Sequence, residues 1–119
     1  SDQVAEQDDN LTLLFKLARI YQQQEEDQQA INYYKQILKQ QADNATVLNN
    51  LALIYFQANN PEALELAEKA HKKQPNSTAI ADTYGVILLA HKEHKKALRV
   101  LRRGVRLAPD NRAMLFHLA

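Results

Sequence analysis

The segment HKEHKK, residues 91–96, brings together the residue types in this chain that could most readily do chemistry. His91 and His94 would share one face of a helix, and with Glu93 they could bind a divalent metal ion. The neighbouring lysines would repel that cation, and the segment is typical of a solvated turn between two helices. We therefore expect no metal, no cofactor and no catalytic residue here.

Other catalytic and nucleic-acid signatures are also missing from the sequence. Gly85 and Gly104 fall within helical patterns, not in loops that could wrap a phosphate or a dinucleotide. In the basic segment 95–107 the apolar residues are expected to enter the core and the cations to lie outside, with no aromatic residue for base stacking. The chain is therefore not expected to be an enzyme or to bind nucleic acid.

The composition indicates a helical protein without a membrane span. Of the 119 residues, 45% are hydrophobic and 24% charged, and only two glycines and three prolines argue against a turn-rich all-β fold. No apolar run reaches the roughly 20 residues of a membrane helix, and no signal peptide is recognisable, so we expect no membrane contact. Cysteine is absent, which fits a reducing cytoplasm and a cysteine-poor periplasm equally.

Charge is distributed unevenly along the chain. Residues 1–30 contain seven acidic residues and two cations, whereas residues 91–112 contain eight cations and two acidic residues. Such a field suits an acidic partner or head-to-tail contact between copies, and it also arises from solvated helix faces that have no partner. The sequence leaves these alternatives open.

A repeat of 33 or 34 residues organises the chain. Two sets of small residues recur at this period: Ala18, Ala52, Gly85 and Ala119, and then Ala30, Ala63 and Ala97. Small residues let two helix backbones approach while bulky neighbours fill the grooves, so each unit is expected to be an antiparallel helical hairpin. One hairpin cannot bury its apolar face alone, so the hairpins should stack into a solenoid.

Helix-capping residues mark the expected boundaries. Side chains that can accept hydrogen bonds from a helix N-terminus precede each unit, at Asp9 and Asn10, Asp43 and Asn44, Asn76 and Ser77, and Asp110 and Asn111. Inside the second unit, Asn60 is the predicted N-cap and Pro61 the first helical residue. The expected organisation is a polar lead-in at 1–10, repeats at 11–44, 45–77 and 78–111, and a truncated fourth repeat at 112–119.

The small residues, the tyrosines at 21, 34 and 55 and the prolines at 75 and 109 together resemble the tetratricopeptide repeat (TPR) over residues 11–119. The resemblance implies an all-α, right-handed superhelix of hairpins that binds a peptide or partner helix in its concave groove. Carried over by position, the groove residues are Phe15, Arg19, Asn49, Asn50, Leu53, Phe56, Asp82, Val86, Leu89 and Phe116. A further repeat or capping helix could instead cover Leu89 and Phe116.

One TPR subgroup, the chaperone adaptors, clamps a terminal carboxylate with lysine, asparagine and arginine side chains. The matching positions here are Phe15, Arg19, Asn50, Ala79 and Thr83, of which only Asn50 agrees. Without cations in the third repeat, a chaperone tail would lose its charge-assisted hydrogen bonds. That partner is therefore not expected.

A narrower resemblance concerns residues 60–89 and 96–119, which are similar to the last repeats of TPR lipoproteins from bacterial PEP-CTERM and exosortase sorting systems. Tyr84 and Val86 depart from the leucine and tryptophan that often flank the glycine there. This resemblance implies a periplasmic or outer-membrane-anchored parent protein that exports or assembles surface polysaccharide. Without it, a cytoplasmic location is expected.

The leading prediction is thus a non-catalytic interaction module that binds a protein or peptide segment of unidentified sequence. The alternative is a structural spacer, or a self-assembly segment of a longer array that stacks copies through their acidic and basic ends.

Overall fold

The computed structural model describes residues 2–107, with side chains from Asp9 onward. Turns of three or four residues join six helices: α1 (Asp2–Gln23), α2 (Asp27–Gln40), α3 (Ala45–Gln57), α4 (Glu62–Lys73), α5 (Thr78–Ala90) and α6 (His94–Leu107). No strand occurs in this range, so the predicted all-α class is confirmed. None of these helices combines the length and the apolar character needed to cross a membrane. The predicted fourth repeat and Phe116 lie outside the described residues.

The helices pair into three hairpins, α1 with α2, α3 with α4 and α5 with α6, and each hairpin packs against the next. We call α1, α3 and α5 the A helices and α2, α4 and α6 the B helices. The predicted small residues lie at the crossings within the hairpins, where the alanines are fully or almost fully buried: Ala18, Ala30, Ala52, Ala63 and Ala97. This arrangement confirms the predicted stack of helical hairpins.

Gly85 lies where α5 packs tightly against Leu101 of α6. A Cβ atom at this position would lie 2.5 Å from Cδ2 and 2.6 Å from Cγ of Leu101. A side chain at residue 85 would therefore require Leu101 to move, whereas the first two hairpins have alanine at the matching position.

The capping prediction succeeds at the second and third A helices. The side chain of Asn44 accepts a hydrogen bond from the backbone N–H of Val47 at 3.1 Å. The hydroxyl of Ser77 accepts one from the N–H of Ile80 at 3.3 Å. Each cap satisfies one of the N–H groups that a helix N-terminus leaves unpaired.

The predicted caps of two other helices need correction. Asp9 and Asn10 lie inside α1, which begins at Asp2, because residues 2–8 contain neither glycine nor proline and supply acidic residues near the N-terminus of the helix. The predicted lead-in is thus helical from its second residue. At α4, Pro61 takes the N-cap position and Asn60 accepts a hydrogen bond from the N–H of Glu62 at 2.9 Å.

The turns within the hairpins repeat one backbone conformation that the sequence analysis missed. Glu25, Asn59 and Lys92 have φ values of 60°, 58° and 62°. The N–H of the next residue returns in each turn to a carbonyl five residues earlier, at 2.8 to 2.9 Å. This is the hydrogen bond that ends a helix in a Schellman motif, here formed without glycine.

Candidate functional site

The repeat period aligns most of the predicted groove residues across the A helices. Three rows cross α1, α3 and α5: Phe15, Asn49 and Asp82; Arg19, Leu53 and Val86; Gln22, Phe56 and Leu89. Asn50 follows the first row by one position. We call these ten residues the A-helix face; Gln22 is added to the predicted set and Phe116 lies outside the described residues.

Most apolar side chains of the A-helix face are partly buried. Phe15, Leu53, Phe56 and Val86 are half-buried, and Leu89 is 41% exposed. Phe15 and Phe56 also pack against the hydrophobic core, which supports the buried side of each ring. Side chains that are partly exposed and supported by a core are suited to receive an apolar residue of a partner.

The polar residues of this face differ in their exposure. Arg19 is exposed and Asp82 is half-buried, whereas Asn49 and Asn50 are only 8% and 5% exposed. The buried oxygen of Asn49 accepts no hydrogen bond from any described residue. Arg19 is therefore the polar group that a partner reaches most directly.

A hydrogen-bonded network lies beneath the first hairpin's part of the face. The amide of Asn50 donates to the hydroxyl of Tyr34 at 3.1 Å, and this hydroxyl donates to Oε1 of Gln22 at 2.5 Å. The ring of Phe15 meets the Tyr34 ring edge-on, with centroids 6.1 Å apart. Tyr34 therefore connects α1, α2 and α3. Its ring packs against Phe15 and its hydroxyl orients Gln22.

The environment of Tyr34 keeps its hydroxyl protonated. Burial raises the pKa of this hydroxyl above its usual value of 10, while the hydrogen bond from Asn50 and the positive charge of Arg19 oppose the rise. The neutral hydroxyl can accept from Asn50 and donate to Gln22 at the same time. Arg19 acts on the Tyr34 hydroxyl from the exposed side of the network.

Sequence reasoning missed the role of Tyr34. The tyrosine was recognised only as part of the repeat pattern, on a B helix away from the predicted groove. No local sequence signal marks it, because its hydrogen-bond partner Asn50 is 16 residues away on another helix.

The positions that match a chaperone carboxylate clamp are not arranged as a clamp. Asn50 is buried and engaged with Tyr34. Thr83 donates its hydroxyl hydrogen to the backbone oxygen of Ala79 at 3.2 Å. These contacts place Asn50 and Thr83 in the internal hydrogen bonding of the solenoid.

Two clefts adjoin the A-helix face. One is polar and lies along the ends of α1 and α3, lined by Arg19, Gln22, Gln23, Glu25 and Gln57. The other lies between the turns that end α3 and α5, lined by Phe56, Asn59, Asn60, Pro61, Ala90 and His91. The third row of the face therefore runs from an amide-rich cleft to a more apolar one.

The candidate metal ligands are exposed. His91 and Glu93 lie in the turn before α6, and His94 is the first residue of that helix. Within residues 2–107, no group of three or more histidine, aspartate or glutamate side chains is placed to hold one metal ion.

The structure corrects one expectation for α6. Leu98 and Leu107 were expected in the core, but each is 43% exposed. Ala97 and Leu101 already fill the contact with α5, and Leu98 and Leu107 lie at the two edges of the outer side of the helix.

Comparison with known proteins agrees with this architecture. The model of the tetratricopeptide repeat family matches residues 15–78. No curated protein sequence matches the chain.

Solved structures share the fold at low sequence identity. The first TPR domain of Spaghetti (RPAP3), bound to the HSP90 peptide SRMEEVD, is 20% identical with a TM-score of 0.83, covering 91% of this chain and 89% of that chain. The Arabidopsis OM64 TPR domain is 17% identical with a TM-score of 0.80, covering 91% and 90%. The TPR2B domain of yeast Sti1, in complex with an Hsp70 peptide, is 20% identical with a TM-score of 0.76, covering 87% and 83%. At these identities the likeness shows the fold alone.

Proposed function

The chain belongs to the tetratricopeptide repeat family, and from that premise we propose that it binds an extended segment of a partner protein across its A-helix face. Modules of this family generally serve protein–protein interaction. The proposed repeats are residues 11–44, 45–77 and 78–111, and the predicted groove residue Phe116 lies outside the described residues.

The observation that carries the proposal is the third row of the face, Gln22, Phe56 and Leu89. It crosses all three hairpins and exposes apolar surface at Leu89 and Phe56. Gln22 lines the amide-rich cleft and Phe56 the more apolar one. An extended peptide could place apolar side chains along this row while Arg19 and the glutamines bind its polar groups.

The ligand class is a peptide without a required terminal carboxylate. The RPAP3 and Sti1 domains are described with HSP90 and Hsp70 peptides. This chain has alanine and threonine at residues 79 and 83, where a clamp needs cations, and its Asn50 is engaged with Tyr34. Recognition through apolar side chains is the better fit to these residues.

A role in the bacterial envelope is a separate hypothesis. It rests on the likeness of residues 60–89 and 96–119 to the exosortase-associated lipoproteins, and no family or structural match supports it. The hypothesis requires a lipid-attachment cysteine behind a signal peptide, so the gene that encodes this chain tests it.

Peptide selection with matched variants tests the proposed face. Peptides from a random library displayed on phage would be selected on the folded chain, and their affinities then measured for wild type, Leu89→Ser and Leu98→Ser. The two leucines are equally exposed, at 41% and 43%, but Leu98 lies on α6, outside the face. We expect Leu89→Ser to weaken binding about tenfold and Leu98→Ser to leave it within about twofold.

The same peptides would be measured with Phe56→Ala, whose folding is checked by circular dichroism. We expect a loss at least as large as with Leu89→Ser, because Phe56 is central in the row. Selected peptides that bind all three variants as tightly as wild type would contradict the proposal, and would favour a purely structural role for these repeats.

A further inference from the structure

Helix α6 presents six cations and no acidic residue on the outer side of the third hairpin. Lys95, Arg99, Arg102 and Arg106 follow one another at intervals of four, three and four residues, which places them in one stripe about 17 Å long. Lys96 and Arg103 lie beside this stripe, and all six side chains are exposed. We call these six residues the α6 face.

The fold does not require cations at three of these six positions. The corresponding residues of α4, which takes the same place in the second hairpin, are 34 positions earlier: Glu62, Glu65 and Glu68 stand where α6 has Lys96, Arg99 and Arg102. A B helix of this solenoid therefore accepts acidic residues where α6 has cations. Of the three B helices, only α6 has cations and no acidic residue.

No salt bridge of the described residues neutralises the α6 face. The salt bridges found among the described residues join Lys72 to Glu68 and Lys73 to Asp43, and neither reaches α6. Arg103 donates a hydrogen bond to the side-chain oxygen of Asn76 at 2.9 Å, which is a neutral acceptor. The stripe is thus available to anions from outside the chain.

The apolar residues at the edges of this face help to choose between anionic partners. Leu98 and Leu107 are equally exposed but nine positions apart, which puts them on opposite edges of the helix. They cannot both enter a bilayer that contacts the cations between them. The face also carries no aromatic side chain on which a base could stack. A protein surface can cover both leucines and place carboxylates between them.

We propose that the α6 face docks an acidic segment of a partner protein, whose carboxylates pair with Lys95, Arg99, Arg102 and Arg106. Three of these four cations are arginines, whose planar guanidinium groups bind a carboxylate through two parallel hydrogen bonds. The α6 face lies on a B helix, apart from the A-helix face, and this proposal does not depend on peptide binding there.

The probe is a fluorescent poly-L-glutamate peptide of about 20 residues, long enough to cover the stripe. Anisotropy titrations would compare the whole chain with the double variant Arg99→Glu and Arg106→Glu. We expect this variant to bind about tenfold or more weakly, and wild-type binding to weaken as salt rises.

The matched control is the double variant Lys35→Glu and Lys39→Glu on α2. It has the same net charge as the α6 variant, and its lysines are also exposed. We expect a loss within about threefold, because only local charge reaches a docked segment at physiological salt. Equal losses in the two variants would overturn the proposal, since the probe would then respond to net charge alone. Circular dichroism would confirm that both variants fold.

Three other binding partners of the α6 face are tested in the same buffer: duplex DNA, anionic vesicles and a second copy of the chain. Tighter binding of mixed-sequence duplex DNA or of phosphatidylserine vesicles than of polyglutamate, lost in the α6 variant, would overturn a protein segment as the occupant. Concentration-dependent sedimentation of the wild type that the α6 variant abolishes would assign the face to a second copy, with the same consequence. Unchanged polyglutamate binding by Leu89→Ser would separate this surface from the A-helix face.

Discussion

The side-chain amide of Asn50 donates a hydrogen bond to the buried hydroxyl of Tyr34 at 3.1 Å, which ties the second hairpin to the first. The same hydroxyl holds Gln22 on α1, so one tyrosine connects three helices beneath the A-helix face. Asn50 is the residue that sequence matching aligned with a carboxylate clamp. In this chain its amide is part of the internal support of the face.

Removing the hydroxyl with Tyr34→Phe should lower the free energy of unfolding by about 1–2 kcal/mol, because the buried amide of Asn50 loses its acceptor. Urea denaturation measures the loss. Tyr33→Phe is the control, since the Tyr33 ring stacks on Tyr21 at 5.8 Å and phenylalanine preserves that stack. Its expected effect is within about 0.5 kcal/mol. Equal losses in the two variants would contradict a specific role for the Tyr34 hydroxyl.

The stack of hairpins could be predicted because its cause is repeated in the sequence. Ala18, Ala52 and Gly85 recur at the period of the hairpins, and each sits where two helices approach too closely for a large side chain. The rows of the A-helix face follow from the same period. A pattern that recurs in register fixes which positions are equivalent, whatever the individual side chains are.

The exposure and hydrogen bonding of the face could not be predicted in this way. Phe56 and Leu89 are equivalent by period, yet Phe56 packs against the core and Leu89 is exposed, because burial depends on the neighbouring hairpin. Asn50 and Tyr34 are 16 residues apart, and nothing local distinguishes them from solvated side chains. The cap predicted at Asp9 and Asn10 failed because a local signal was outweighed by the helix-forming residues around it.

Gly85→Ala should destabilise the chain by about 1–3 kcal/mol through overpacking against Leu101, partly offset by the better helix propensity of alanine. The sign is diagnostic, since without the contact this substitution would stabilise α5 by up to about 1 kcal/mol. Thermal or urea unfolding measures the effect. The double variant Gly85→Ala with Leu101→Ala should lose less stability than the two single variants lose in sum, because Leu101→Ala removes the clash. Simple additivity would show that Leu101 is not the obstacle.

The left-handed turn residues predict two stabilising substitutions. Glu25→Gly and Lys92→Gly should each raise the free energy of unfolding by about 0.5–1 kcal/mol, because glycine adopts a φ near 60° without the steric cost of a Cβ atom. Asn59→Gly should gain less, since asparagine tolerates this conformation. The midpoint of urea unfolding measures all three.

Glu26→Gly is the control for these turns, because Glu26 has a φ of −91° and gains nothing from glycine there. It should destabilise by a few tenths of a kcal/mol through the greater freedom of the unfolded chain. A gain as large as that of Glu25→Gly would mean that removal of acidic charge, and not backbone conformation, is responsible.

His71 should make the junction between the second and third hairpins sensitive to acid. The centroids of the His71 and Tyr84 rings are 5.1 Å apart. The buried Nε2 atom of His71 forms no hydrogen bond with any described residue. Burial, and then the positive charge of Arg103, lower the pKa of His71 below its usual 6.5. The unfolded chain therefore binds a proton more readily than the folded one, so this contribution is present above pH 6.5 and is lost as the pH falls through the folded pKa.

Urea unfolding at pH 7.5 and pH 5.5 would measure this loss in wild type and in His71→Leu, which retains an apolar side chain at the junction but cannot bind a proton. We expect His71→Leu to lose less stability on acidification than wild type. His91→Gln, in the exposed turn before α6, should keep the wild-type pH dependence. Because Arg103 repels a proton on His71, Arg103→Gln should lessen the acid loss without abolishing it. If His71→Leu and wild type responded alike to pH, the acid sensitivity would have to arise from other titrating groups.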